Sequence, residues 1–341
     1  MFESCRRISI SSSVAPAPVG VPANRAPVAL RPVPLYLSEA DVEALLSPTE
    51  AVPVVEACFR RLAAGVVENV PRRRLPLEDG YFAVMAATDR ELGYAGLKAY
   101  TLVDGRPAFV VCLFSLADGT LDAVLEADTL GQRRTGAATG VAARHLARAG
   151  ASSLGVIGCG WQAESQVAAI RFALPGVERV VAYCRSEARL EDFCARVGAE
   201  PAESHHEAAA HDVVVTATTS RDPVLRGEWL REGAFVAAIG ANDPAARELD
   251  NVVLERASFV CCDSLEQSRL ESGDLIEPVA GGVLDWLEVH ELQEVVAGEV
   301  RGRQSDTDVV LFKSNGLAAW DVAAGAEAVR RARELGVGRE L

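Results

Sequence analysis

Between residues 153 and 166 the chain reads SLGVIGCGWQAESQ, and Gly158, Gly160 and Ala163 stand in the spacing G-x-G-x-x-A directly after an apolar run. That spacing suits a dinucleotide. The first glycine permits a tight turn out of a strand, the second lets a pyrophosphate approach the backbone, and the third small residue lets the next helix pack close to the sheet. The start of that helix offers free N–H groups and a partial positive charge to phosphates. About 20 residues past such a loop, a site for NAD carries Asp or Glu to hold the ribose 2′-hydroxyl. Here that stretch is Tyr183-Cys184-Arg185-Ser186, and the next acid is Glu187. Arg185 and Ser186 can instead neutralise and hydrogen-bond a 2′-phosphate. The cofactor is therefore read as NADP(H), with NAD(H) the alternative. Thr218 and Ser220, in TATTS after another apolar run, are candidates to line the same cofactor.

A nicotinamide needs a partner for hydride. The polar residues that suggest one lie elsewhere: Arg73 in NVPRRRL, Lys98 in AGLKAY and Arg134 in GQRRTGA. Each alone reads as a solvated surface charge, but three cations from separate segments suit a carboxylate. Lys98 sits among small and apolar residues on a strand, so its ammonium is expected to enter a cleft. Two arginines nearby would lower its pKa and suit it to proton exchange.

The elements that must position these groups fall into two kinds. LYLSEADVEALL predicts a helix capped by Ser38, and a second helix covers 49–67. YFAVMAAT, YAGLKAYT and PAFVVCLFSL then form a β-meander punctuated by glycines. RRTGAATGVAARHLARAG reads as a small-residue helix whose backbone something approaches closely. From residue 153 strands alternate with helices, which implies a parallel sheet covered on both faces. The expected fold is α/β: a Rossmann-type doubly wound parallel sheet over 130–308, plus an α+β substrate-binding and dimerisation domain from 35–129 and 309–341. Residues 1–34, rich in Ser, Pro and Arg with one acid, are expected to be a disordered tail.

Bulk composition narrows the class. A charge of −14, from 34 basic and 48 acidic residues, argues against wholesale nucleic-acid binding. No apolar run approaches the roughly 20 residues of a membrane helix. Eight cysteines without a C-x-x-C pair read as reduced thiols of a cytoplasmic protein, and the five histidines show no metal-ligand spacing.

Taken together, LYLSEADV, Pro71-x-Arg73, GLKAY, LGQRRTGAATG, GCGWQA, VVVTATTS, GANDPAARELD, ESGDL and FKSNGLAAWD resemble the ornithine cyclodeaminase/μ-crystallin family from Leu35 to about residue 332. The resemblance implies an NAD(P)-dependent protein acting on small α-amino acids or imines, often a homodimer. It places Arg73 and Lys98 on the substrate carboxylate and Arg134 between carboxylate and nicotinamide. Gly158, Gly160, Gln162 and Ala163 would carry the pyrophosphate, and Thr135 joins the cofactor set. Where cyclodeaminases carry a proton-handling Asp, this chain has Asn242, with Asp243 one residue on. An amide cannot accept that proton, which favours simple hydride transfer at a C–N bond. Ornithine cyclodeamination to proline and ammonia, and a non-catalytic NADPH or small-ligand binder, are the alternatives.

Overall fold

The meander is part of a larger sheet. In the computed structural model, which describes residues 33–341, the chain begins with β1 (Leu35–Leu37), α1 (Glu39–Leu45) and α2 (Pro48–Ala63). Ser38 and Ser47 cap the two helices, and Asp41 and Glu50 return the bond to each cap backbone. Next come β2 (Val67–Leu77), β3 (Gly80–Asp89), β4 (Tyr94–Val103), β5 (Arg106–Ser115), β6 (Leu121–Glu126) and α3 (Asp128–Leu146). The alternating part follows as β7 (Ser153–Ile157), α4 (Trp161–Ala173), β8 (Arg179–Tyr183), α5 (Glu187–Val197), β9 (Glu200–Pro201), α6 (His205–Ala209), β10 (Val213–Thr216) and β11 (Phe235–Ala238). The last elements are α7 (Asn251–Arg256), β12 (Ala257–Cys262), α8 (Leu265–Glu271), α9 (Gly273–Ala280), β13 (Val289–Glu291), α10 (Leu292–Val296), β14 (Val309–Lys313), α11 (Ala318–Leu335) and β15 (Arg339–Glu340). The tail expected over 1–34 lies outside the described residues except for its last two.

The first sheet has the order β15-β1-β6-β5-β4-β3-β2 and is antiparallel apart from the β1–β6 pair. The second has the order β13-β12-β14-β11-β10-β7-β8-β9, with every pairing parallel. Strand order reverses at β7, and ligands of such sheets bind beyond the carboxyl ends of the strands at that reversal. β10, β11 and β14 are buried at every residue, as strands covered on both faces must be.

One boundary needs correction. Val309–Lys313 does not return to the first lobe; β14 lies between β11 and β12 of the parallel sheet. Its unbroken apolar run VVLF fits a central strand, and the return begins after Lys313, where α11 packs on β3 and β4. The small-residue helix is α3, and α4 is what approaches it. A Cβ on Gly136 would lie 2.5 Å from the Ser165 carbonyl oxygen, and one on Gly140 2.9 Å from that of Ala169.

Candidate active site

A cavity of about 410 Å³ opens where the carboxyl ends of the parallel strands face the first sheet. Lys98, Arg134, Gly160, Gln162 and Thr218 all line it. The glycine loop and two of the three expected cations therefore share one cleft.

Lys98 on β4 and Arg134 on α3 meet on a single carboxylate oxygen. Lys98 Nζ donates to Asp321 Oδ1 at 3.1 Å and Arg134 Nε donates to the same atom at 3.0 Å. Asp321, from α11, is 1% exposed, and the two cations are 4% and 5% exposed. Lys98 Nζ also lies 4.9 Å from the centre of the Phe109 ring. Gly131 leaves room for this ammonium, since a Cβ there would lie 2.7 Å from Nζ. Burial lowers the Lys98 pKa to about 8, with Asp321 opposing the shift and Arg134 and Arg72 adding to it. The expected lowering is present, but burial rather than the arginines is its largest cause. Asp321 was not among the residues expected from sequence, although it closes the FKSNGLAAWD run.

Arg73 is the first residue to correct. It is exposed and absent from the cleft lining, whereas Arg72 is buried and lines it. The cause is a bulge in β2: Val70 pairs with Ala86, but Arg73 pairs with Val84, so β2 has one residue more than its partner. Pro71 and Arg72 are consequently both buried in succession. Arg72 donates to Glu271 on α8 and, at 2.9 Å, to the Asn315 carbonyl. Its neighbour Arg74 also reaches Glu271, at 2.8 Å.

The glycine loop has the geometry a dinucleotide needs. Gly158 has φ +107°, and a Cβ there would meet the Ala217 carbonyl oxygen at 2.4 Å. Gly160 caps α4 with no side-chain bond to the helix N–H groups, and its missing Cβ would project into open space. Ala163 is fully buried beneath the helix. Gln162 Oε1 is buried without a hydrogen-bond partner beside the cleft. An open cradle, uncapped N–H groups and an orphaned acceptor fit a pyrophosphate-bearing ligand.

The hydroxyls expected to serve the cofactor are mostly engaged elsewhere. Thr135 lines the cleft, but its hydroxyl donates back to the Gly131 carbonyl at 2.7 Å. Thr218 also lines the cleft and donates to Glu248 Oε1 at 2.8 Å. Ser220 is corrected: it is off the cleft and donates at 2.7 Å to the Asp222 carbonyl, closing a local turn. Glu248, which the sequence did not single out, is fully buried and also accepts from Thr216 Oγ1 and the Gly240 amide, at 3.0 and 2.7 Å. It fastens the loops after β10 and β11 together; burial pushes its carboxyl upward against the pull of Lys313. Arg185 and Ser186 sit exposed just past β8, off the cleft lining, and Ser186 starts α5 without a side-chain cap bond.

Asn242 lines the cleft, and its carbonyl oxygen accepts from Arg74 at 2.8 Å. Asp243 is exposed and accepts at 2.8 Å from the Ala245 amide, so it is removed from the candidate catalytic groups. The turn at Pro244 directs it outward, and the loop brings no carboxylate into the cleft.

Comparison with known proteins shows the family. The model of the ornithine cyclodeaminase/mu-crystallin family matches residues 33–334. An alanine dehydrogenase of Archaeoglobus fulgidus is 36% identical over 327 residues, covering 90% of this chain and 98% of that protein. The Δ1-pyrroline-2-carboxylate reductase of Thermococcus litoralis, solved with NADH and L-proline, superposes with a TM-score of 0.86 at 32% identity, covering 90% of this chain and all of that one. An archaeal alanine dehydrogenase dimer with bound NAD superposes with a TM-score of 0.85 at 36% identity, covering 90% and 98%. Among the described residues no helix is long and apolar enough to cross a membrane, and the seven cysteines are free thiols.

Proposed function

Since this chain belongs to the ornithine cyclodeaminase/mu-crystallin family, we propose that it is an NAD(P)(H)-dependent oxidoreductase acting on the C–N bond of a small α-amino acid or its imine. The observation that carries the reading is a lysine of lowered pKa, Lys98, in one cleft with the open glycine loop. Gly158, Gly160, Gln162 and Ala163 would hold a nicotinamide cofactor, which would supply hydride-transfer chemistry at the substrate α-carbon. Arg72 and Arg134 present positive charge to the substrate carboxylate and so fix the α-carbon. In reduction Lys98 gives a proton to the imine nitrogen; in oxidation its neutral amine takes that proton back. A pKa of about 8 lies near enough to neutrality for both directions. Asn242 can orient a water or amine but cannot take a proton, and Asp243 faces away, so ring closure with loss of ammonia lacks a base in this loop.

For the cofactor we assign NADPH over NADH. Arg185 and Ser186 stand exposed just past the carboxyl end of β8, in the stretch Tyr183-Cys184-Arg185-Ser186 where a site for NAD would carry its acid. The two solved structures above hold NADH and NAD, so this preference rests on the chain's own residues. A homodimer built through the first lobe is supported by β2, an edge strand whose Val70, Leu75 and Leu77 are 53%, 58% and 46% exposed. A cytoplasmic location remains part of the same reading.

The test is a cofactor-absorbance assay with α-amino acids oxidatively and with α-keto acids plus ammonia or cyclic imines reductively. Turnover of at least one substrate is expected. Tight NADPH binding with no rate in either direction rejects the enzyme and leaves a binding protein.

A further inference from the structure

The proposed mechanism gives Asp321 no step, yet both cations depend on it. It lies outside the cleft lining, and one of its oxygens serves Lys98 and Arg134 at once. We propose that Asp321 is a positioning residue that holds Lys98 and Arg134 at a fixed separation and keeps Lys98 charged until substrate takes its proton. The catalytic meaning and the rate measurements below rest on the oxidoreductase reading above; the labelling titration does not.

The charged and titratable groups around Lys98 come from four elements. Arg72 comes from β2, Tyr100 from β4 itself, Arg134 and Asp128 from α3, and Asp321 from α11. The two arginines and burial work against a charged lysine. Asp128 is exposed at the cleft rim and has no ion pair to Lys98, so Asp321 is the buried acid in hydrogen-bond contact. The sharing of Oδ1 matters for what happens next. When Lys98 loses its proton, Arg134 still bonds that oxygen, so Asp321 does not become an unpaired buried charge. Oδ2 is buried without a partner, so no third group fixes the carboxylate in place of the two cations. An amide at 321 keeps the shape but would leave cations facing one another in a dry site.

The sequence makes this directly measurable, because it contains only two lysines, Lys98 and Lys313. Lys313 is wholly buried and serves as the internal control. Competitive acetylation with acetic anhydride across pH, read by mass spectrometry on the Lys98 peptide, titrates Lys98 in the full-length protein without cofactor or substrate. Asp321→Asn is expected to lower the labelling midpoint by about one unit or more, a roughly tenfold gain in neutral amine at a pH below both midpoints. The alkaline limb of the reductive rate should move down with it. A merely structural role depresses rate at every pH and leaves the midpoint in place; that result in a folded variant overturns the proposal. Asp321→Glu keeps the charge and guards against misfolding of the amide variant. It should hold the midpoint within about half a unit of the parent while kcat/KM falls about tenfold or more from misplacement. A glutamate variant with undiminished kcat/KM also overturns it. A midpoint that moves in a protein turning over no substrate would sink the oxidoreductase reading and leave the positioning role standing.

Discussion

The two ends of the proposed site handle positive charge in opposite ways. At the substrate end the three cations that line the cleft are buried and tied to acids: Lys98 and Arg134 to Asp321, Arg72 to Glu271. At the adenosine end Arg185 is exposed, and among the described residues no acid pairs with it. Charges that must meet a reacting centre within a fraction of an ångström need a built frame. A charge that only discriminates a 2′-phosphate can remain mobile and solvated, since the ligand itself brings the partner. Damage at the buried end should therefore cost rate, and damage at the exposed end should cost only selectivity.

The sharpest way to break this contrast is Lys98→Met. It should lower kcat/KM by about 10³-fold, within the range for losing a positioned acid–base group, and leave the Kd of NADPH, measured by fluorescence titration, unchanged. A fall in NADPH affinity instead would show that the two ends are not separate. Next comes a neighbouring pair. Arg72→Lys should cost roughly 10- to 100-fold in kcat/KM by losing the planar fork, and Arg73→Ala less than about twofold, as for a solvated charge. Equal effects in steady-state kinetics would contradict the bulge in β2.

The pH profiles sharpen the same point. Reduction needs protonated Lys98, so its rate should fall as pH rises through about 8; oxidation needs the neutral amine and should rise to a plateau above about 8. Identical profiles in the two directions would remove Lys98 from proton transfer. The smallest effect is expected at the exposed end: Arg185→Ala should weaken NADPH about tenfold, as for loss of one phosphate contact, and leave NADH unchanged.

What could be read from the sequence divides along similar lines. The alternating strands and helices, the glycine loop and the capped first helix were legible because each rests on local chemistry: periodicity, positive φ and a capping serine. Lys98 was legible because a charge set among small and apolar residues on a strand must find a cleft or a partner. Arg73 was misplaced because one bulge reverses which face an arginine in a run of three occupies; Pro71, which lacks an N–H for the ladder, was the available signal. Asp321 and Glu248 were missed because each acts on residues distant in the chain or through backbone amides, as Thr218 N to Glu248 at 2.7 Å illustrates. The boundary at 309 failed because the apolar run of β14 marks a central strand but does not encode which earlier strands flank it.

That insertion has a mechanical consequence. β14 ends at Lys313 in the parallel sheet, and the chain reaches Asp321 eight residues later. Asp263 pins the intervening stretch by accepting from Ser314 Oγ at 3.0 Å and from the amides of Asn315 and Gly316 at 2.7 and 2.6 Å. The ruler that spaces the proposed proton donor from the proposed nucleotide platform is thus a short, stapled piece of main chain. Lengthening it by one residue would leave both ligands able to dock and put their reacting carbons out of step.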